Sequence, residues 1–108
     1  MMSMDDYQKR AQSFRAPDVP PEERVFGLLE EVGEIAAIYK RIFRGDWKNS
    51  TEDVAASKLF KELGDVLWYV SQVALDNGFS LSEIAVANIN KLEDRLKRQT
   101  LIGEGDNR

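Results

Sequence analysis

The sequence predicts an all-α fold, an antiparallel bundle of four helices, and three observations carry the prediction. Apolar residues recur at intervals of three and four over long stretches. Caps and breakers divide those stretches into four, and no run alternates apolar with polar residues as a half-buried strand would. With 108 residues, 43% of them hydrophobic, the chain can fill one core but not two. Residues 1–108 therefore read as a single domain in which 101–108 form a C-terminal tail.

The first helix is predicted over about residues 3–14, with Tyr7, Ala11 and Phe14 on one stripe, and it stops before Pro17. Pro20 and Pro21 then open the second, because proline's fixed φ suits a first helical turn. This helix covers about 22–43, with Val25, Leu28, Leu29, Val32, Ile35, Ala36, Tyr39, Ile42 and Phe43 on its apolar side, and Arg44, Gly45 and Asp46 end it. Ser50 and Thr51 are the candidate caps of a third helix over about 52–76. Its apolar face holds Leu59, Phe60, Leu63, Val66, Leu67, Val70, Val73 and Ala74, and Asn77-Gly78 supplies a left-handed stop. Ser80 and Glu83 form a capping-box pattern for a fourth helix to about residue 99, with Ile84, Ala85, Ile89, Leu92 and Leu96 facing inward.

Composition narrows the chemistry. A net charge of -4 argues against a nucleic-acid binder, which would carry a basic face. No stretch approaches the roughly 18 apolar residues of a membrane span, and the first ten residues lack the apolar core of a leader, so a cytoplasmic protein is expected. The absence of cysteine excludes disulfides, thiolate nucleophiles and cysteine-bound metal, and the absence of histidine excludes imidazole acid–base work. Metal chemistry is left with oxygen ligands, which suit magnesium, manganese or calcium.

Two carboxylate pairs fit that remainder. Glu31 with Glu34, and Glu62 with Asp65, are each three residues apart inside a helix, so both members project from one side about 4.5 Å apart along the axis. Both pairs sit at the shoulder of the apolar stripe, where another helix can reach them. Converged carboxylates raise one another's pKa unless a cation neutralises them. A single Glu-x-x-Glu is usually a solvated helix face. Two such pairs on consecutive antiparallel helices favour a metal site, and magnesium in an acidic site of this kind recruits phosphates.

The residues also carry a resemblance. Glu30-Glu31-Val32-Gly33-Glu34 and Lys61-Glu62-Leu63-Gly64-Asp65, continuing to Val70, resemble the EExxE and ExxD signature of the MazG-like all-α nucleoside triphosphate pyrophosphohydrolases. Asn88 to Arg95 is similar to that family's NxxK segment, and the likeness runs from about Pro21 to the C-terminus. It implies that Glu31, Glu34, Glu62 and Asp65 bind Mg2+, with Mn2+ as a substitute. Water then attacks the α-phosphorus of a nucleoside triphosphate, releasing a nucleoside monophosphate and pyrophosphate. Glu30 and Glu34 are the candidates for orienting that water.

Asn88, Lys91 and Arg95 are candidate phosphate or sugar contacts, with solvated surface roles as the plain alternative. Ala87 stands where relatives often carry another basic residue. Trp47 and Tyr69 are candidate nucleotide contacts, although Trp47 also suits a lid over the bundle's end and Trp68 suits core or interface. The tail from Gly103 to Arg108 resembles that of a small, often phage-associated branch. The resemblance further implies a homodimer or homotetramer. Two other readings stand beside the enzyme: phosphoribosyl-ATP pyrophosphohydrolase, and a non-catalytic helical module for oligomerisation or metal binding.

Overall fold

A computed structural model describes residues 1–50 and 52–102, the side chains of 101 and 102 aside. The described residues form four α-helices and no strand: α1 (Met4–Gln12), α2 (Pro21–Arg44), α3 (Val54–Asp76) and α4 (Leu81–Ile102). The tail from Gly103 onward and the expected Thr51 cap lie outside them.

Helix ends follow local chemistry. Ser3 caps α1 by accepting from the Asp6 amide at 3.0 Å. Pro20 and Pro21 open α2, and Gly45 closes it at φ 83°, a conformation costly for residues with a Cβ. The start of α3 differs from expectation: Asp53, not Ser50, is the cap, accepting from the Ala56 amide at 3.0 Å. Ser50 instead accepts from the Glu52 amide, closing a turn ahead of the helix. The capping box at α4 is complete, Ser80 Oγ accepting from the Glu83 amide and Glu83 Oε1 from that of Ser80.

The main contact is α2 against α3, with α1 laid over α3 and touching α4. Seven-residue spacing shows in the seam. On α2 the covered positions include Arg24, Gly27, Leu28, Glu31, Ile35 and Ile38, and on α3 Leu59, Glu62, Val66, Tyr69 and Val73. Where α1 crosses α3, the interior is polar. Gln8 donates to the carbonyls of Ser71 and Phe79, each at 3.0 Å, and accepts from the Leu81 amide at 3.1 Å. Ser71 and Gln72 beneath it are fully buried. One side chain thereby ties α1 to the end of α3 and the start of α4, satisfying groups that would be costly to bury unpaired.

A second tie joins the α1–α2 connection to α3. Asp76 accepts from Arg15 once and from Arg24 twice, all at 2.6 Å. The two-pronged Arg24 bond, then that from Arg15, hold the Asp76 carboxyl below its ordinary value against the opposing effect of burial.

The predicted apolar stripes are only partly covered. Phe14 is 77% exposed, Leu29 68%, Phe43 90% and Phe60 81%, and the expected inner face of α4 stays open at Ile89 and Leu96. The reason is geometric: α2 carries an apolar band wider than α3 alone can cover, and α4 leans on α1 rather than filling the remaining side. The radius of gyration, 18.2 Å, exceeds the about 13 Å of a compact chain this long.

Candidate active site

Antiparallel packing decides which acids meet. Glu31 and Glu62 both lie in the α2–α3 seam, more central than the shoulder position expected of them. Asp65 follows Glu62 by one turn, and ligand oxygens of Glu31, Glu62 and Asp65 lie within 4.8 Å of one another. Glu34 is exposed and outside this triad. On antiparallel helices a step from Glu31 to Glu34 and one from Glu62 to Asp65 run in opposite directions. The two partners therefore end up about 9 Å apart along the axis.

No cationic side chain pairs with the triad among the described residues. Glu62 Oε2 is buried with no hydrogen-bond partner. The Glu31 carboxyl is pushed up from 4.5 to about 7, first by its hydrogen bond with Glu62, then by burial, and then by the charges of Asp65, Glu62 and Glu30. Tyr7 of α1 is also raised, by burial and then by Asp65. An orphaned buried oxygen beside a carboxyl that retains its proton, among hard oxygen donors, fits a divalent cation such as magnesium.

The titration has a definite sign. Glu31 loses its proton near 4.5 in the unfolded chain but near 7 in the folded one, so the cation-free fold loses stability as pH rises between those values. A cation must displace that proton, so its affinity rises with pH through about 7. We expect magnesium to raise the melting midpoint more at pH 8 than at pH 6, as read by circular dichroism. An equal rise at both would remove Glu31 from the site.

Other candidates separate into three places. Glu30 and Tyr69 line a cavity of about 290 Å³ shared with Arg24, Phe26, Gly27 and Trp68; no acid of the triad lines it, but Gly27 and Tyr69 stand one helical turn from Glu31 and Asp65. Trp47 lines a different cavity, of about 230 Å³, with Ile42, Lys48 and Asp53 at the far end of α2. Asn88, Lys91 and Arg95 are exposed on α4 and are not brought into the α2–α3 seam of their own chain. Trp68 is structural, its indole N–H donating to the Ala11 carbonyl at 3.1 Å.

Sequence reading missed Arg24 and Gly27, which shape the cavity. A charged residue inside an apolar repeat, and a glycine inside a long helix, were the available signals.

Residues 20–100 match the MazG nucleotide pyrophosphohydrolase domain. The chain is similar to the Gene 37 protein of Mycobacterium phage L5, 43% identical over 82 residues, covering 76% of this chain and 71% of that one. No solved structure matches it. Among the described residues no helix is long and apolar enough to cross a membrane. The match spans α2, α3 and nearly all of α4, including every acid of the triad, and the chain belongs to the MazG nucleotide pyrophosphohydrolase domain family.

Proposed function

We propose that this protein is a magnesium-dependent nucleoside triphosphate pyrophosphohydrolase, cleaving between the α- and β-phosphates to give a nucleoside monophosphate and pyrophosphate. The observation that carries the reading is the triad itself, three convergent carboxylates, one of which, Glu62, has a buried oxygen without a hydrogen-bond partner. Glu31, Glu62 and Asp65 would hold the cation, with Mn2+ as a substitute. When bound, it supplies neutralisation of phosphate charge and polarisation of the phosphoryl oxygens.

The chain's own residues do the positioning. Glu30 and Glu34 flank the triad on α2 and are the carboxylates free to orient the attacking water, there being no histidine for that task. The cavity beside Glu30 and Tyr69 takes the nucleoside end. At about 290 Å³ it lies at the small end for ligand pockets, sized for part of a nucleotide rather than the whole triphosphate.

The working form in this reading is a homo-oligomer, a dimer or tetramer. The triad has no cation from its own chain within salt-bridge distance among the described residues. Asn88, Lys91 and Arg95 stand on an α4 whose apolar face is uncovered. A second copy laid across that face would cover it and place basic side chains where phosphates need them.

The test is to incubate the purified protein and magnesium with the four ribonucleoside and four deoxyribonucleoside triphosphates and phosphoribosyl-ATP, measuring pyrophosphate. Pyrophosphate is expected from at least one nucleoside triphosphate. Release of single phosphate, or of nothing, would overturn the reading, and preference for phosphoribosyl-ATP would move it to that enzyme.

A further inference from the structure

Gly27 lies inside α2, the seventh of its 24 residues, where glycine weakens a helix relative to alanine, so another requirement must account for it. That requirement is visible across the seam. A Cβ built on Gly27 would lie 2.3 Å from Cε1, 2.5 Å from Cζ and 2.8 Å from the hydroxyl oxygen of Tyr69. The hydroxyl end of the Tyr69 ring therefore rests directly on the α2 backbone. The contact is particular to this position, because a Cβ on Gly33 or Gly64 would meet nothing within 4 Å.

The ring is held from its own helix as well. Trp68 meets Tyr69 edge to face, with centroids 4.9 Å apart and planes at 88°, and Trp68 is itself anchored on the Ala11 carbonyl. Gly27 and Tyr69 both line the cavity beside the triad, Gly27 one turn before Glu31 and Tyr69 one turn after Asp65. A methyl on Gly27 would drive the ring off α2. Trp68 and Tyr69 are both walls of that cavity, so a displaced ring changes its shape.

We propose that Gly27 is a positioning residue: its bare backbone seats the Tyr69 ring so that the cavity stays open for the nucleoside end of the substrate. This rests on the pyrophosphohydrolase reading above. Seating the ring governs nucleoside binding and leaves the cation and the bond broken at the triad untouched. It therefore acts on KM and not on kcat.

The experiment is a double-mutant cycle on the full chain: wild type, Gly27→Ala, Tyr69→Ala and the double variant. Each is assayed for pyrophosphate release with magnesium and the nucleoside triphosphate that wild type cleaves fastest, and for magnesium affinity by calorimetry. Gly27→Ala is expected to raise KM at least tenfold, with kcat within about threefold and magnesium affinity within about twofold of wild type. In the Tyr69→Ala background, where no ring obstructs the methyl, the same substitution is expected to change KM less than about twofold.

An unchanged KM in Gly27→Ala, effects that multiply in the double variant, or a parallel loss of magnesium affinity would each overturn the proposal. Should Gly27→Ala fail to fold, the double variant must fold, with a KM within about twofold of that of Tyr69→Ala, for the proposal to stand. A wild type that cleaves no nucleotide refutes the function itself, and this seat's role with it. An active wild type with an indifferent Gly27→Ala refutes only the seat.

Discussion

Glu62→Gln is expected to remove magnesium binding and to lower pyrophosphate release by more than about a hundredfold, while making the cation-free protein more stable at pH 8. The substitution keeps shape and changes charge. Glu62 contributes the buried, unpartnered oxygen of the triad, and an amide in its place is a weak ligand for a hard cation. The stability gain follows from the same charge. Glu62 is the largest cause of the raised Glu31 carboxyl, and an amide can donate to that carboxylate where Glu62 crowds it. Opposite effects on function and stability distinguish a ligand from a structural residue. Calorimetry with magnesium and a melt at pH 8 check both halves, and unaltered magnesium affinity would show that the triad is not the site.

Asp76→Ala is expected to destabilise the fold by about 3–5 kcal/mol, because it leaves the buried Arg24 guanidinium without its partner. For a domain this size that corresponds to a fall in melting midpoint of about 12 °C or more. The pH dependence follows from the direction of the shift. Asp76 titrates lower when folded than its ordinary 3.8, so its contribution is full above that value and lost as pH falls below it. The gap between variant and wild type should therefore close in strong acid. Pairing Asp76→Ala with Arg24→Met is expected to recover much of the loss, since an apolar side chain carries no charge to strand. A single variant that melts with wild type would show the pair to be dispensable.

The two substitutions bracket what α2 and α3 do together. Their seam runs from the Arg24–Asp76 ion pair, past the Gly27–Tyr69 contact, to Glu31 and Glu62. The first contributes stability and the last removes some, an arrangement common where a site must receive a cation.

The helices were legible in the chain because their signals are local. Pro21, Gly45, Asn77-Gly78 and the Ser80–Glu83 box act within one turn, and each marks its helix end in the structure. The cap expected at Ser50 falls to Asp53 because Asp53 offers the same chemistry a few residues on, and sequence does not rank two adequate caps. Glu31, Glu62 and Asp65 were legible as ligand candidates because residue type and spacing together limit what they can bind.

What the sequence by itself determined is the set of helices, the oxygen-only donor chemistry and the family. Tertiary structure decided which acids converge, since antiparallel packing keeps Asp65 beside the seam pair and carries Glu34 the other way. It also decided that Tyr69, not Trp47, shares a cavity with Glu30, and that Gln8, Arg24 and Asp76 hold the helices in place. Periodicity records that a helix face is apolar, whereas the neighbour that covers it depends on contacts far apart in the chain.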